Sequence, residues 1–208
     1  MSTHIYAFGS ICRGEFDPLS DVDLLACVSE KDSSFDPEKF SIYTHERMKE
    51  MWRDGNPFAW HLHLESKLIY SSTGRDFIKE LGSPAGYTNG KNDCAQFFEL
   101  LKCAKQNLSQ SSNSPVFEIS CIFLAARNFA TCLSLSYGKP VFSRRSPLLI
   151  NNPLDLSDSD FNLLVRARVL STRGLGKNLT AEEINRVDTF VAPKIYNWMT
   201  LLADRVPS

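Results

Sequence analysis

The chain has 208 residues, of which 43% are hydrophobic and 23% charged, and its formal net charge is -1. This length allows one large domain or two small ones, with the composition of an ordinary soluble globular protein. Enzymes that act on long nucleic acids usually carry a basic face, so the near-neutral charge disfavours a nucleic-acid substrate.

The six cysteines indicate a reducing compartment, because none is spaced as Cys-x-x-Cys and most lie in apolar stretches. The first residues run directly into an apolar segment and lack the basic and apolar regions of a signal peptide. No apolar run approaches the ~18 residues that span a bilayer. We therefore expect a cytoplasmic protein without a membrane partner.

The amino-terminal segment predicts a phosphate-binding turn. The apolar run 5–8 predicts a strand, and Gly9 and Ser10 follow it where a short helix is expected to begin. Backbone N–H groups at such a turn face an anion. Glycine permits the close approach of phosphate oxygens, and serine adds a hydroxyl donor.

Two aspartates lie in a second predicted strand. Asp21 and Asp23 are two positions apart in a Val/Leu-rich segment, so their side chains point to one face, roughly 6.5 to 7 Å apart. Carboxylates at this spacing can bracket divalent cations. Surface aspartates at a strand end give the same pattern, so the pair alone is weak evidence for a metal site.

The arrangement resembles the nucleotidyltransferase superfamily of the DNA polymerase beta type. It is most similar to the minimal nucleotidyltransferases and the aminoglycoside nucleotidyltransferases, in which the pattern G-S-x-x-R-G precedes S-D-x-D-L. The residues that match this pattern without gaps are Gly9, Ser10, Arg13, Gly14, Ser20, Asp21, Asp23 and Leu24.

This resemblance implies an α+β protein, with a small mixed-sheet nucleotidyltransferase domain followed by an α-helical bundle domain. It also implies two Mg²⁺ ions held by Asp21, Asp23 and the triphosphate. The expected reaction transfers a nucleoside monophosphate, most often AMP from ATP, to a hydroxyl of a small molecule or a protein. Arg13, one helical turn beyond Ser10, either adds charge to the phosphate site or pairs with Glu15 or Asp17.

Further elements are predicted between residues 36 and 82. Asp36 and Pro37 predict the start of a helix, with Asp36 as its N-cap and Pro37 as its first residue. This helix is expected to end at residues 54–57. The aromatic-rich, alternating segment 58–65 predicts a strand, which residues 67–70 continue or pair with. A short helix is expected to open at residues 74–77.

A third carboxylate commonly completes the site of the resembled superfamily, as a metal ligand or as a general base. Glu65 is the candidate, because it is the only acid in the predicted strand 58–65 and alternation places it with His61 and His63. An ordinary surface role for Glu65 is equally open. We expect His63 to line the acceptor pocket or to assist proton transfer, and His61 to pack, since no further ligand spacing supports zinc.

A change in composition predicts a domain boundary. Residues 83–91 are rich in Gly, Ser and Pro and predict a linker between a catalytic domain at 1–82 and a helical domain at 92–208. Helices are predicted at residues 92–109, 116–137, 158–171 and 181–202.

The last predicted helix carries two local signals. Thr180 and Glu183 have the spacing of a capping box, and Pro193 should kink the helix.

The helical half resembles the domain that closes over nucleotide and acceptor in the aminoglycoside nucleotidyltransferases. That resemblance implies nucleotide contacts for Arg127, Lys139 and Arg144, each of which is otherwise an ordinary solvated charge. A second hypothesis is a regulatory, antitoxin-like binding protein that keeps the fold without turnover. Nucleotide addition to RNA is a third and weaker hypothesis.

Overall fold

The structure is a computed structural model that describes residues 2–15, 22–30, 35–110 and 113–207. The chain divides into two compact units, Met1–Tyr87 and Thr88–Ser208. The first unit contains a mixed sheet with helices, and the second is helical, which confirms the predicted α+β class.

A four-stranded sheet forms the centre of the first unit. Its strands are β1 (Thr3–Phe8), β2 (Asp23–Val28), β3 (Phe40–Thr44) and β4 (Ser66–Ser71). The order is β3-β2-β1-β4, in which β1 is antiparallel to β2 and β4, and β2 is parallel to β3. The helices of this unit are α1 (Ser10–Arg13), α2 (His45–Arg53), α3 (Pro57–Glu65) and α4 (Phe77–Leu81).

One face of the sheet packs against these helices. Alternation in β1 turns Tyr6 and Phe8 inward, where they join a core with Leu25, Met48 and Leu62. Each fully buried large apolar side chain stabilises the fold by about 1.5–3 kcal/mol. The Tyr6 hydroxyl group donates a hydrogen bond to the Asp76 carboxylate and accepts one from the Ile78 N–H group, so the polar atom of this buried side chain is satisfied.

The prediction of a helix that begins at Asp36 and Pro37 is wrong for residues 40–44, which form β3. This strand pairs with β2 from Phe40, opposite Leu24, to Thr44, and its aromatic and β-branched side chains favour a strand. The helix begins only at His45, where the Thr44 side chain caps it by accepting a hydrogen bond of 3.2 Å from the Arg47 N–H group.

The predicted strand 58–65 is also wrong, because these residues belong to helix α3. The Asn56 side chain accepts a 2.8 Å hydrogen bond from the Phe58 N–H group, and Pro57 is the first helical residue. The Asp-Gly-Asn-Pro boundary therefore both ends α2 and begins α3. The helix buries Ala59 and Leu62, a helical spacing of three that outweighs the apparent alternation.

The start of the predicted linker is fastened to the first unit. The indole of Trp52 donates a 2.9 Å hydrogen bond to the Gly82 carbonyl oxygen, and that of Trp60 donates one of 3.0 Å to Ala85. The Ala85 N–H group in turn bonds to the Trp52 carbonyl oxygen at 2.9 Å. These bonds fix residues 82–85 against α2 and α3.

Two imidazoles meet at the amino end of β1. Nδ1 of His4 lies 2.9 Å from Nε2 of His45, and Nε2 of His4 lies 3.2 Å from the Thr73 hydroxyl. Burial lowers the pKa of His4, against the opposite effect of the nearby carboxylates Glu80 and Asp76. Burial and the neighbouring His4 likewise lower the pKa of His45. A hydrogen-bonded neutral pair fits these shifts.

We therefore expect the free energy of unfolding to fall as the pH drops below about 6.5, the ordinary pKa of histidine. Below about pH 6.5 the imidazoles of the unfolded chain take up protons, whereas those of the folded pair stay neutral to lower pH. The stability that the pair contributes above this pH is therefore lost as the pH falls through the pKa values of the folded state. Urea unfolding at about pH 7.5 and 5.5 measures the loss. The loss should shrink in His45→Gln but persist in the control His63→Gln; an unchanged loss in His45→Gln would contradict this account.

The second unit consists of helices. They are α5 (Gly90–Ser109), α6 (Pro115–Ser136), α7 (Ser146–Leu149), α8 (Asp158–Arg173), α9 (Ala181–Arg186) and α10 (Ala192–Ala203), with a π-helical turn, Val187–Val191, before α10. The capping box of Thr180 and Glu183 is present. The π-helical turn lies just before Pro193, between α9 and α10, and the kink at this proline stays a prediction.

Helix α6 corresponds to the helix predicted at residues 116–137. It has 22 residues and is long and apolar enough, by length and composition alone, to cross a membrane. However, 67% of its apolar window is buried in the protein, as in the core helix of a bundle.

All six cysteines lie in described residues and are free thiols; Cys103 on α5 is exposed.

Candidate active site

The turn after β1 and the first residue of β2 form the centre of the site. The antiparallel pairing places Phe8, the last residue of β1, opposite Asp23. Gly9 follows with φ +77°, and a Cβ atom built there would lie only 2.7 Å from Oδ2 of Asp23. A side chain at position 9 is therefore excluded both by the backbone conformation and by the carboxylate. Glycine lets the acid lie against the turn.

The groups predicted for phosphate and metal binding are accessible at this turn. Ser10 is the first residue of α1 and is half-buried, while Asp23 is exposed at the start of β2. Asp21 and Ser20 lie outside the described residues, so the shared face of Asp21 and Asp23 stays a prediction. Among the described residues, no three His, Cys, Asp or Glu side chains are grouped so that they could hold a metal ion.

An acid that sequence analysis missed lies near Asp23. Glu38, in the turn before β3, and Ser41, on β3, line the same cavity of about 400 Å³ as Asp23. The helix predicted to begin at Asp36 and Pro37 would include Glu38, whereas the aromatic and β-branched run that follows Glu38 indicates a strand. The described strand β3 itself contains no carboxylate.

The prediction that Glu65 shares a strand face with His61 and His63 is wrong, because α3 is a helix. It contacts His61, one turn earlier, whose Nε2 lies 3.0 Å from Oε2 of Glu65. The same Oε2 accepts a hydrogen bond from Nη1 of Arg13. His63 instead lies 3.3 Å from the Ser83 hydroxyl.

Arg13 is held by two carboxylates. Besides its bond to Glu65, its Nη2 donates a 3.0 Å hydrogen bond to Glu15, which is one of the two pairings proposed from the sequence. Burial lowers the pKa of Arg13, but Glu15 and Glu65 outweigh burial and raise it.

The environment of Glu65 favours its ionised form. Burial raises the pKa of this carboxyl, but the adjacent His61 and the hydrogen bond from Arg13 outweigh burial, so the pKa lies below its ordinary value. A carboxylate with a lowered pKa is a weak base. The role of Glu65 as third carboxylate or base stays a prediction.

Arg127, Lys139 and Arg144, the three candidate nucleotide contacts of the helical unit, lie in different local environments. Nη2 of Arg127 donates a 3.2 Å hydrogen bond to the Phe142 carbonyl oxygen. Lys139 and Arg205 line a cavity of about 360 Å³. Arg144 is half-buried in the loop before α7. Their predicted contacts with a nucleotide remain predictions.

Comparison with known protein families agrees with this geometry. The sequence model of the family described as "Nucleotidyltransferase domain" matches residues 2–80. Residues 2–80 are a nucleotidyltransferase domain. No curated protein matches the chain significantly.

The nucleotidyltransferase domain covers the whole sheet together with the turn at Gly9, Asp23 and Glu65. Domains of this family transfer a nucleotidyl group from a nucleoside triphosphate and generally use a divalent metal. The matched region ends within α4, before the helical unit begins.

Proposed function

We propose that the chain is a Mg²⁺-dependent transferase that moves a nucleoside monophosphate, AMP from ATP, to an acceptor hydroxyl and releases pyrophosphate. The acceptor is a small molecule or a protein side chain. The observation that carries this proposal is the approach of the Asp23 carboxylate to Gly9, since it brings an acid suited to magnesium against a turn suited to phosphate.

Each group is assigned the role that its chemistry suits. The hydroxyl of Ser10 and the backbone at Gly9 bind the outer phosphates, while Asp23, together with Asp21, holds the metal. Magnesium, when bound, polarises the α-phosphate and neutralises charge on the leaving pyrophosphate. The acceptor oxygen forms a bond to the α-phosphorus as the bond to pyrophosphate breaks, and the hydroxyl proton passes to water.

Pyrophosphate release from ATP tests this function. The protein is incubated with α-labelled ATP and Mg²⁺ in the presence of aminoglycosides or protein acceptors. We expect release of pyrophosphate together with labelling of one acceptor, and loss of both when a chelator removes the metal. Binding of ATP without pyrophosphate release for every acceptor would contradict the transferase.

The second candidate function is a regulatory, antitoxin-like binding protein. It is favoured by one observation, the lack of a carboxylate on the described strand β3, which is the neighbour of β2 in the sheet. Under this function the protein binds a nucleotide or a partner protein and releases no pyrophosphate. The same assay therefore separates the two candidates.

A further inference from the structure

Three side chains connect helices α1 and α3 beside the turn. Arg13 is the last residue of α1, Glu65 is the last residue of α3, and His61 lies one turn before Glu65. Glu65 accepts from Arg13 and lies 3.0 Å from His61. We call Arg13, Glu65 and His61 the α1 clamp.

The α1 clamp is shielded from solvent. The side chains of Arg13, Glu65 and His61 are only 18%, 16% and 13% exposed. At this degree of burial an ion pair is screened less by salt, and removing one partner leaves a charge without compensation. The pair therefore restrains the positions of the two helix ends more firmly than a surface pair does.

The clamp also contacts the strand that leads into the turn. The ring of His61 packs edge-on against the ring of Phe8, with 5.7 Å between ring centres. Phe8 directly precedes Gly9, and Arg13 lies three residues beyond Ser10. The turn is thus held from both sides, through Phe8 before it and through Arg13 after it.

We infer that Glu65 and His61 are positioning residues, which hold Arg13 and so fix the turn at Gly9 and Ser10 for a triphosphate. This inference rests on the proposed function and assigns Glu65 a different role from the base predicted from the sequence. As a base, Glu65 would have to take up a proton, whereas its bond from Arg13 and the neighbouring His61 favour the ionised carboxylate. The lowered pKa of Glu65 agrees with a carboxylate that stays ionised and bonded to Arg13, and not with one that takes up a proton.

Backbone hydrogen exchange of the ligand-free protein tests the inference without any substrate. In Glu65→Gln we expect exchange at the amides of residues 9–14 to accelerate by about tenfold or more, because the clamp no longer restrains α1. Exchange in α2 should not change. The matched control is Glu50→Gln, which breaks the exposed Arg47–Glu50 ion pair, 3.0 Å long, on α2. Unchanged exchange at residues 9–14 would overturn the inference, whatever the protein binds.

Nucleotide affinity and turnover then separate positioning from catalysis. We expect Glu65→Gln and Arg13→Gln each to weaken binding of Mg²⁺-ATP by about tenfold, the double variant to be no weaker than the worse single variant, and Arg13→Lys to recover part of the loss. His61→Gln provides a milder change should Glu65→Gln fail to fold.

Two results in this second experiment would overturn the inference. One is unchanged affinity in Glu65→Gln with turnover lost there but kept in Arg13→Gln, which is the behaviour of a base at Glu65. The other is weak binding in Arg13→Gln alone, which would make Arg13 a direct phosphate ligand. Failure of the wild-type protein to bind Mg²⁺-ATP would instead contradict the proposed function, and the exchange result would still decide the inference.

Discussion

Asp23→Asn is expected to reduce nucleotidyl transfer by about a thousandfold or more while the protein stays folded. The amide keeps the size of the side chain but removes the negative charge that would hold magnesium. Asp23 is exposed at the strand start, so the fold does not depend on burying it. Pyrophosphate release at saturating ATP and acceptor measures the loss, and thermal unfolding reports the fold.

The matched control is Asp54→Asn, which neutralises another exposed aspartate of the same unit, at the end of α2. It should transfer at the wild-type rate. Since Asp23 is exposed, Asp23→Asn should be about as stable as the wild type. Transfer that survives in Asp23→Asn would remove the metal role, and a collapsed fold would show that Asp23 is structural.

Gly9→Ala is expected to have the second-largest effect, because it changes the turn and the acid together. The methyl group would lie 2.7 Å from Oδ2 of Asp23, on a backbone with φ +77°. With ψ at -141° this backbone lies near a region that essentially only glycine adopts, so alanine there costs roughly 1–3 kcal/mol of stability. The displaced carboxylate should lower transfer by about a hundredfold. Urea unfolding and pyrophosphate release measure the two effects separately.

Gly74→Ala separates strain from displacement. Gly74 has φ +73°, and a Cβ atom there would meet nothing within 4 Å. This variant should lose stability, because it places a side chain at positive φ, but it should transfer normally. If Gly9→Ala loses no more activity than Gly74→Ala, the contact between Gly9 and Asp23 has no part in catalysis.

Local signals explain what could be predicted from the sequence. A glycine, a serine and acids at fixed spacing define the candidate site by residue identity alone, and the match to residues 2–80 agrees with that pattern. The capping box of Thr180 and Glu183 depends only on neighbours in the chain, and it is present.

Non-local pairing explains what could not be predicted. Residues 40–44 become a strand because β2 offers them a parallel partner, although Asp36 and Pro37 favour a helix. The contact of Arg13 with Glu65 joins residues 52 positions apart and depends on α3 being a helix. A strand at 58–65 would have turned Glu65 to the face of His63.

A crystal structure of the wild-type protein with Mg²⁺ and a non-hydrolysable ATP analogue tests the central claim most directly. We expect metal density between the carboxylates of Asp21 and Asp23 and the analogue's phosphates, with an outer phosphate beside Ser10. An analogue bound elsewhere, or aspartates turned away from it and paired with cationic side chains, would contradict the assignment.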